Sequence, residues 1–348
     1  MMAGRGASAV FRFDADRSIG GGHAMRCLTL AEAMMRSGWH CLFAVSPETP
    51  VAVPRLRPYA ADCRELSGVA EDEPDEIQGG IDAGRCALLI VDHYGRDAAF
   101  ERACRAFADR IAVIDDLADR VHDADILIDQ NLGRAGEDYA GKLPADCRLL
   151  IGPEFALLRP DFAARRDAVL TQRHGRDGLG RILVSFGLTD PLGLSLDTLQ
   201  ALRESGFEGH IDVVIGGAAR GTAKVHALAA DMGDKVRVLC DVEDMAELMA
   251  LADLAIGAGG STSWERCALG LPALIAVVAD NQREIAHALA DAGAVGLVGV
   301  DGKGFRDNLK DALAVLCAEP PMLKRMGIAA AAICDGAGCA RVAEALVS

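Results

Sequence analysis

The sequence predicts an α/β protein of two Rossmann-like domains with parallel sheets and an interdomain cleft. Its 348 residues exceed what one ordinary core needs and suit two domains of roughly 150 residues each. Strand-like apolar runs alternate with helical ones, which predicts βαβ crossovers and parallel sheets. Aromatic residues make up only 4% of the chain, and abundant small residues allow helices to pack closely on a sheet.

The first domain is predicted over residues 1–160. Its apolar runs predict five strands, at 9–13, 40–45, 86–94, 110–116 and 125–131. Helices are expected over 23–38, which ends at a glycine, and around 97–109. This domain carries a loop with a histidine, which becomes the candidate catalytic loop below.

The second domain is predicted over residues 161–325. A charged segment from about 155 to 180, ending in glycines, is expected to form the linker and a bridging helix. Strands are predicted at 182–187, 211–217, 236–240, 252–260 and 272–278. A helix from about 321 breaks near 335–338 and resumes, and we expect the segment 326–348 to cross back onto the first domain.

Charge and cysteine content narrow the classes of function. Acidic residues outnumber basic ones by 51 to 36 and give a formal charge of −15, which argues against nucleic acid or an anionic membrane as the main partner. No signal-peptide pattern opens the sequence, and no uninterrupted apolar run approaches the roughly 18 residues of a membrane span. The 11 cysteines include no CxxC pair, so free thiols and a cytoplasmic location without stable membrane association are expected.

Glycine-rich segments follow four of the predicted strands. In parallel sheets, ligands bind beyond the carboxyl ends of the strands. Glycine lets the backbone approach an anion, and the start of a helix offers unpaired N–H groups. One such loop is weak evidence because a tight turn also requires glycine, but four of them predict a binding cleft. The candidate substrate-binding glycines are Gly20, Gly21, Gly22, Gly187, Gly216, Gly217, Gly259 and Gly260.

The most specific segment is GAGGSTSWE (257–265). Ser261 or Thr262 is expected to cap the following helix and to hold a diphosphate with the helix N–H groups. Glu265 lies about one turn further, where its carboxylate can accept hydrogen bonds from both ribose hydroxyls. The alternative is a capping box between Thr262 and Glu265. The sequence contains no Walker motif for ATP.

His23 is the candidate general base. Its predicted position at a helix start disfavours the imidazolium, so we expect a neutral imidazole that accepts a proton near neutral pH. Asp14, at the end of the first strand, is expected to orient it, and Arg26 is expected to reach a phosphate. The alternatives are a surface or capping histidine, a solvated turn aspartate, and an arginine paired with an acid.

Tyr94, Asn281 and Gln282 also follow predicted strands and suit contacts to a sugar or a phosphate. A half-buried tyrosine and exposed turn amides are the alternatives. The acidic segments at 14–16, 115–119 and 123–125 resemble metal-binding patterns, but such patterns are frequent in a chain with 51 acidic residues. No His or Cys cluster has ligand spacing, so we expect no required metal.

Six segments resemble one enzyme family in matching order, from Phe11 to about residue 342. They are FRFDADRSIGGGHAMRCLTLA, LIVDHYG, IDDLADRVHDADILIDQN, GPEFALLRPDF, ILVSFGLTDP and GAGGSTSWERCALGLPALIAVVADNQ. The family is the UDP-2,4-diacetamido-2,4,6-trideoxy-β-L-altropyranose hydrolases of pseudaminic acid biosynthesis. The resemblance implies the GT-B architecture of the related peptidoglycan UDP-GlcNAc transferase.

The resemblance also implies roles for individual residues. His23 would activate water for attack on the anomeric carbon, which releases UDP with inversion and C–O cleavage. Tyr94 and Asn281 would lie in the sugar and diphosphate site. Gly260, Ser261 and Thr262 would hold the diphosphate, and Glu265 the ribose. The implied partner is a UDP-linked amino sugar, and no cofactor or metal is implied.

The loop at 187–190 departs from the family pattern. The family has two glycines and a small residue there, whereas this chain has Gly187, Leu188, Thr189 and Asp190. Two other functions stay open, the second of them because of the bulk of Leu188. One is a glycosyltransferase of the same architecture, which would transfer the sugar to an acceptor in preference to water. The other is a non-catalytic nucleotide-sugar-binding protein, which would bind without turnover.

Overall fold

The computed structural model describes residues 7–16, 19–176, 178–216, 219, 221–240, 242–300 and 302–347. The chain divides into two compact units. Unit 1 comprises Met1–Leu158 and Ala337–Ser348, and unit 2 comprises Arg159–Gly336. Each unit contains one parallel sheet with helices, so the predicted two-domain α/β class is confirmed.

The sheet of unit 1 has seven strands. In chain order they are β1 (Ser8–Phe13), β2 (His40–Val45), β3 (Cys63–Glu65), β4 (Cys86–Asp92), β5 (Ala108–Ile114), β6 (Ile126–Asp129) and β7 (Arg148–Ile151). Their spatial order is β3-β2-β1-β4-β5-β6-β7, and every pair is parallel. The strand order reverses between β1 and β4, which is where a doubly wound sheet binds ligands.

Both faces of this sheet are buried, as the continuous apolar runs predict. Neighbouring residues of β1 point to opposite faces because the side chains of a strand alternate. Phe11 and Phe13 pack against Phe43 and the helix that follows β1, whereas Val10 packs with Leu89 in a second cluster. The helices of unit 1 before residue 159 are α1 (Gly22–Arg36), α2 (Thr49–Ala52), α3 (Glu73–Gly79) and α4 (Ala98–Cys104).

The sheet of unit 2 has six strands. They are β8 (Arg181–Ser185), β9 (His210–Ile215), β10 (Val236–Cys240), β11 (Leu254–Ala258), β12 (Ala273–Val277) and β13 (Val295–Val300). Their order is β10-β9-β8-β11-β12-β13, again parallel, with the reversal between β8 and β11. The helices of unit 2 are α5 (Pro160–His174), α6 (Leu194–Glu204), α7 (Thr222–Met232), α8 (Met245–Leu251), α9 (Thr262–Ala268), α10 (Arg283–Asp291), α11 (Phe305–Ala318) and α12 (Pro320–Ile333).

All ten predicted strands are present, and the described residues form three further strands that were not predicted. The missed strands β3 and β7 are short edge strands with exposed residues, so their sequences lack a continuous apolar run. In β13, glycines interrupt the apolar run, and its register with β12 shifts between Ile275 and Ala276. The helix predicted around 97–109 ends at Cys104 because β5 begins at Ala108.

A final helix, α13 (Gly338–Val347), returns to unit 1. By length and composition alone, the segment Pro320–Val347 is the one described stretch that could cross a membrane. The helical structure is interrupted between α12 and α13. Val342 and Leu346 of α13 are buried in the same core cluster as Phe11. Packing in the core therefore accounts for the apolar side of α13.

Candidate active site

The loop between β1 and α1 lies at the strand reversal of the first sheet. Gly20 has a φ of +78°, a left-handed conformation that glycine adopts without steric cost. Its N–H donates to the carbonyl of Asp16 at 2.9 Å. Gly21 is the N-cap residue of α1, and Gly22 is its first residue. The glycines thus turn the chain so that His23 falls in the first turn of α1.

His23 is paired with Asp92 at the end of β4. Its Nδ1 lies 2.8 Å from Oδ1 of Asp92 and 3.2 Å from the backbone carbonyl of the same residue. Both neighbours are acceptors, so Nδ1 carries the proton of the neutral ring and Nε2 is the nitrogen that can accept another. His23 is only 7% exposed, which excludes the alternative of a surface histidine.

Asp14 does not orient His23 as the sequence led us to expect. Its carboxylate binds Arg12 at 2.6 and 2.9 Å, accepts the N–H of Ser46 at 2.7 Å and lies 3.1 Å from Nε2 of His93. The physical reason is strand alternation, because Asp14 points to the opposite face from Phe13.

Asp92 takes the orienting role through strand register. It is the partner of Phe13 across the β1–β4 pair, and register partners point to the same face of a sheet. Phe13 belongs to the core cluster that includes buried residues of α1. The carboxylate of Asp92 therefore points toward α1 and His23.

We expected the imidazole of His23 to be neutral near neutral pH, and the structure corrects this expectation. Burial lowers the pKa of His23, but the charge of Asp92 and the hydrogen bond to it raise the pKa more, so that it lies above its ordinary value of 6.5. The charge of Arg26 lowers this pKa and that of Asp116 raises it. The buried carboxylate of Asp92 lies at contact distance, where its effect on the imidazole exceeds that of the helix start. His23 is an effective base only above its raised pKa.

Arg26 binds carboxylates, which is the alternative considered from the sequence, and its contact with a phosphate stays a prediction. Its Nε and Nη2 each donate to Asp92 at 2.6 Å, and its Nη1 donates to Asp116 at 3.1 Å. Such a two-point contact fixes the orientation of both groups. Burial raises the pKa of Asp92, but Arg26 and His23 together hold this pKa well below its usual range.

Tyr94 lies beside the histidine. Its ring meets the ring of His23 edge-on, with a centroid distance of 4.7 Å, and its hydroxyl donates to Oδ2 of Asp116 at 3.3 Å. Asp116 was assigned only to an acidic pattern in the sequence, and Asp92 was not selected as a site residue. The signal available for both was their position directly after or at the end of a buried strand.

A second buried ion network adjoins Asp14. Arg12 is 2% exposed and donates to Glu73 from Nε and Nη2 at 2.9 and 2.8 Å. Arg96 donates to the same carboxylate at 2.9 Å. Burial raises the pKa of Glu73, but the bonds from Arg96 and Arg12 lower it overall. The signal for this network was an arginine inside the otherwise apolar strand β1.

The acidic segments form internal contacts. Asp123 and Asp125 bind Arg105, and the hydroxyl of Tyr139 contacts Asp115 at 3.0 Å. Within the part of the chain that the structure describes, no three His, Cys, Asp or Glu side chains are grouped to hold a metal ion. The expectation of a reaction without metal stays a prediction.

The second predicted site lies at the strand reversal of unit 2. β11 ends at Ala258, and Gly259 and Gly260 lead into α9. Ser261 is the N-cap residue of α9 and makes no side-chain cap hydrogen bond, so the helix does not begin with the capping box considered from the sequence. The backbone of Gly260, Ser261 and Thr262 thus forms the start of the helix, where an anion is favoured.

Glu265 lies one turn into α9 and is partly buried. Burial raises its pKa, whereas the charges of Arg159 and Arg266 lower it. Nη2 of Arg159 lies 3.9 Å from Oε1 of Glu265. This arginine keeps a counter-charge near the carboxylate. The predicted contacts of Glu265 with ribose and of the preceding residues with a diphosphate stay predictions.

Gln282 and Asn281 belong to a short 3₁₀ turn, Asp280–Gln282, that follows β12. Both are partly buried, so they are not exposed turn amides. Oε1 of Gln282 accepts the N–H of Val278 at 3.2 Å. A Cβ added at Gly260 would lie 3.6 Å from Nε2 of Gln282. The structure therefore brings the Gln282 amide beside the glycine loop.

In the loop after β8, a side chain of the protein itself binds the N–H groups at the start of the next helix. Gly187 has a φ of +84°, and both carboxylate oxygens of Asp190 accept N–H groups at the start of α6, from Leu194 and Ser195, each at 2.9 Å. The chain's own carboxylate thus occupies the start of α6, and the predicted substrate contact of Gly187 stays a prediction.

Two further predicted substrate-binding glycines, Gly216 and Gly217, follow β9. A Cβ at Gly216 would lie 2.1 Å from the carbonyl oxygen of Leu188, so close packing of the Leu188 loop explains this glycine. The Leu188 side chain itself is partly exposed, at 37%. Gly217, also predicted to bind substrate, lies outside the described residues.

A cavity of about 190 Å³ lies elsewhere in unit 2. Its lining includes Leu170, Arg173, Asp253 and Pro272. Asp253 and Pro272 directly precede β11 and β12, so the cavity adjoins the amino ends of the strands. Ligands of this sheet class bind at the opposite, carboxyl ends.

The chain has both sequence relatives and structural neighbours among known proteins. No protein-family model matches the chain. The chain is 23% identical to the uncharacterized protein MJ1062 of Methanocaldococcus jannaschii over 279 residues, which are 78% of this chain and 56% of that protein. It thus spans just over half the length of that relative. It is 26% identical to the UDP-2,4-diacetamido-2,4,6-trideoxy-beta-L-altropyranose hydrolase of Campylobacter jejuni over 244 residues, 69% of this chain and 80% of the hydrolase.

A third relative is a transferase. Over 182 residues, 49% of this chain and 44% of the relative, the chain is 35% identical to the UDP-N-acetylglucosamine--N-acetylmuramyl-(pentapeptide) pyrophosphoryl-undecaprenol N-acetylglucosamine transferase of Sorangium cellulosum. The hydrolase and the transferase both have UDP-linked sugars in their names. The two matches support a resemblance to proteins named for UDP-linked sugars. They do not distinguish hydrolysis from transfer.

Solved structures decide the fold. Acinetobacter baumannii MurG superimposes with a TM-score of 0.70 at 17% identity, covering 98% of this chain and 99% of that one. The fold is GT-B. The UDP-GlcNAc 2-epimerase of Neisseria meningitidis bound to UDP-GlcNAc gives 0.62 at 12% identity, covering 98% and 99%. The chain thus shares its fold with these two structures, and the fold prediction is confirmed.

Proposed function

We propose that this GT-B protein is a hydrolase of a UDP-linked 2,4-diacetamido-2,4,6-trideoxy sugar. The observation that carries the proposal is the buried His23–Asp92 pair at the strand reversal of unit 1. With Nδ1 bound by Asp92, Nε2 is the basic nitrogen that can take a proton from water. The homology to the Campylobacter hydrolase over 80% of its length supports the same reaction.

In the proposed reaction, water attacks the anomeric carbon as its proton moves to Nε2 of His23. The new bond joins the water oxygen to that carbon, and the carbon–oxygen bond to UDP breaks. The free sugar leaves with inverted configuration, and UDP leaves as an anion. His23 then returns its proton to solvent, which restores the neutral base.

Unit 2 supplies the nucleotide site in this proposal. Backbone N–H groups of Gly260, Ser261 and Thr262 bind the diphosphate, and the helix start stabilises the charge that develops on the leaving group. Glu265 accepts the ribose hydroxyls. Tyr94 and Asn281 contact the sugar, and Gln282 supports the diphosphate loop. No metal takes part in any of these steps.

A UDP-release assay on the diacetamido sugar nucleotide tests the proposal, with and without EDTA. Run in ¹⁸O-water, the reaction is expected to label the sugar at its anomeric carbon, since the carbon–oxygen bond breaks. Label in UDP would contradict attack at carbon. Unchanged turnover in His23→Asn with intact UDP binding would contradict the role of His23. Tight calorimetric binding without any turnover would support a binding protein instead.

A glycosyltransferase is the second candidate, and the 35% identity to a transferase over 182 residues favours it. The same base would then take its proton from an acceptor hydroxyl. The distinguishing measurement is partition between water and acceptor. We expect free sugar to form at the same rate when acceptor sugars or lipid-linked acceptors are added. A transfer product that replaces free sugar would establish the transferase.

A further inference from the structure

Asp116 is the second residue after β5, and both its side chain and its backbone accept hydrogen bonds. Its Oδ2 accepts hydrogen bonds from Nη1 of Arg26 at 3.1 Å and from the hydroxyl of Tyr94 at 3.3 Å. Its backbone carbonyl accepts Nδ2 of Asn131 at 2.8 Å and Nη2 of Arg134 at 3.2 Å. The side chain is 15% exposed. Asp116 therefore has a well-defined position in unit 1.

Both side chains that bind its carboxylate continue to His23 by separate routes. Arg26 holds both oxygens of Asp92, and Asp92 holds Nδ1 of His23. Tyr94 contacts the imidazole directly through the edge-on arrangement of the rings. One carboxylate thus restrains the charged partner of the histidine and the aromatic ring packed against it.

The other carboxylate oxygen of Asp116, Oδ1, is buried and has no hydrogen-bond partner within the described part of the chain. A buried acceptor without a donor is unfavourable for folding. Stability alone therefore does not explain a carboxylate here. The negative charge of Asp116 balances part of the charge of Arg26, which is buried. Asp92 alone also pairs with His23.

We propose that Asp116 is a positioning residue that holds Arg26 and Tyr94 in place around His23. It touches neither the imidazole nor, in the proposed reaction, the substrate. Its effect on catalysis rests on the proposed role of His23 as the base. Its effect on the conformation and charge of the His23 environment does not depend on that role.

The charges around His23 support this assignment. The ionisable groups that face the imidazole are Asp92 from the end of β4, Arg26 from α1, Tyr94 from the loop after β4, and Asp116 from the loop after β5. Among them, Asp92 and Asp116 raise the pKa of His23, and Arg26 lowers it. Neutralising Asp116 removes one of the two negative charges and leaves Arg26 with a single carboxylate.

The first test needs no substrate. The imidazole of His23 is titrated by NMR in the full chain, with the signal assigned by its absence in His23→Asn. Asp116→Asn is expected to lower the pKa of His23 by roughly half a unit or more, since it removes a nearby opposite charge. Asp119→Asn is the matched control, because Asp119 lies in the same loop with a side chain 60% exposed. Equal titrations in the two variants would overturn the proposal.

The second test measures turnover. Asp116→Asn is expected to lower kcat roughly tenfold with little change in KM, because the base is displaced while the nucleotide site is intact. Its kcat/KM profile should also move to lower pH, which a loss of folded protein would not produce. Asp119→Asn should match the unaltered protein. If no UDP-sugar is hydrolysed but the titration still shifts, the proposed function fails and the positioning role stands.

A second variant covers the case in which Asp116→Asn does not fold. Tyr94→Phe keeps the ring but removes the hydroxyl that donates to Asp116. We expect weaker nuclear Overhauser contacts between this ring and the His23 ring than in the unaltered protein. Contacts of unchanged strength would show that Asp116 does not hold the ring, and would overturn that part of the proposal.

Discussion

Nδ1 of His23 lies 2.8 Å from Oδ1 of Asp92, although 69 residues separate them in the chain. The contact depends on β1 and β4 being neighbours, with Phe13 and Asp92 in register. It determines which imidazole nitrogen carries the proton and where the basic nitrogen is. It also raises the pKa of the imidazole, since the charge of Asp92 and the hydrogen bond to it together exceed the opposing effect of burial.

The pH dependence of turnover follows from this pair. A base must be unprotonated, so kcat/KM should rise with pH and level off above the raised pKa of His23. We expect the midpoint to exceed the ordinary value of 6.5. Initial rates of UDP release from pH 5 to 9 check it. A midpoint at or below 6.5, or the same midpoint in the residual activity of His23→Asn, would contradict the assignment.

Asp92→Asn should impair both activity and stability. It removes the charge that favours the imidazolium during proton transfer, with an expected loss in kcat of about 10⁴-fold by analogy with catalytic His–Asp pairs. It also leaves the buried Arg26 without its main partner, which costs roughly 3–5 kcal/mol of unfolding free energy. Steady-state kinetics and urea unfolding measure the two effects.

A matched control for Asp92→Asn is Asp62→Asn. Asp62 also pairs with a histidine, His40, at 3.1 Å, but the histidine side chain is 58% exposed. Exposed pairs contribute about 0–1 kcal/mol, so this variant should behave like the unaltered protein. Similar losses in the two variants would show that the buried pair has no special role.

Glu265→Gln should weaken UDP binding roughly tenfold or more, because a charged acceptor to two hydroxyls is lost. The unaltered protein should prefer UDP to 2′-deoxy-UDP, and the variant should lose most of that preference. Calorimetry with both nucleotides measures it. Glu247→Gln is the control, since Glu247 is exposed on α8 of the same unit. A preserved preference for UDP in Glu265→Gln would place the ribose elsewhere.

Asp129→Asn should change how stability depends on pH. Tyr139 has one hydroxyl proton but lies 3.0 Å from Asp115 and 2.9 Å from Asp129. Burial, opposed by Asn131, Tyr139 and Arg134, raises the pKa of Asp129 to about 6. The unfolded value is near 3.9, so the folded state binds more protons between those values, and the contribution to stability falls as pH rises through them.

The comparison that isolates this effect is the unfolding free energy of the unaltered protein minus that of Asp129→Asn. This difference should decrease as pH increases from about 4 to 6. Urea unfolding at several pH values measures it, and Asp119→Asn supplies a reference. A difference that stays constant over the interval would mean that Asp129 is ionised throughout.

Gly216→Ala should destabilise unit 2 by roughly 1–3 kcal/mol, the usual effect of added bulk at a packed position. The new Cβ would lie 2.1 Å from the carbonyl oxygen of Leu188, so that loop must shift. Gly175→Ala is the control, because its Cβ would lie 3.7 Å from the nearest atom. Thermal unfolding compares the two. Equal melting temperatures would mean that the Leu188 loop adapts without cost.

Much of the fold could be predicted because buried parallel strands have a local signature. The segments 86–91 and 182–184 are apolar throughout, and each is followed by a polar residue. The same logic located the loop before α9, since glycines after a buried strand and before a helix imply a helix start. Short edge strands such as β3 lack that signature because one side of them is open to solvent.

The amino-acid sequence by itself determined the two α/β units, the candidate base His23 and the glycine loop before Glu265, because strand and helix patterns are local properties of the chain. Only the tertiary structure decided that Asp92 orients His23, that Asp14 binds Arg12, and that Arg26 is occupied by carboxylates. These pairings depend on strand order, register and the face to which each side chain points. Residues up to 90 positions apart, such as Arg26 and Asp116, meet only after the sheet has formed.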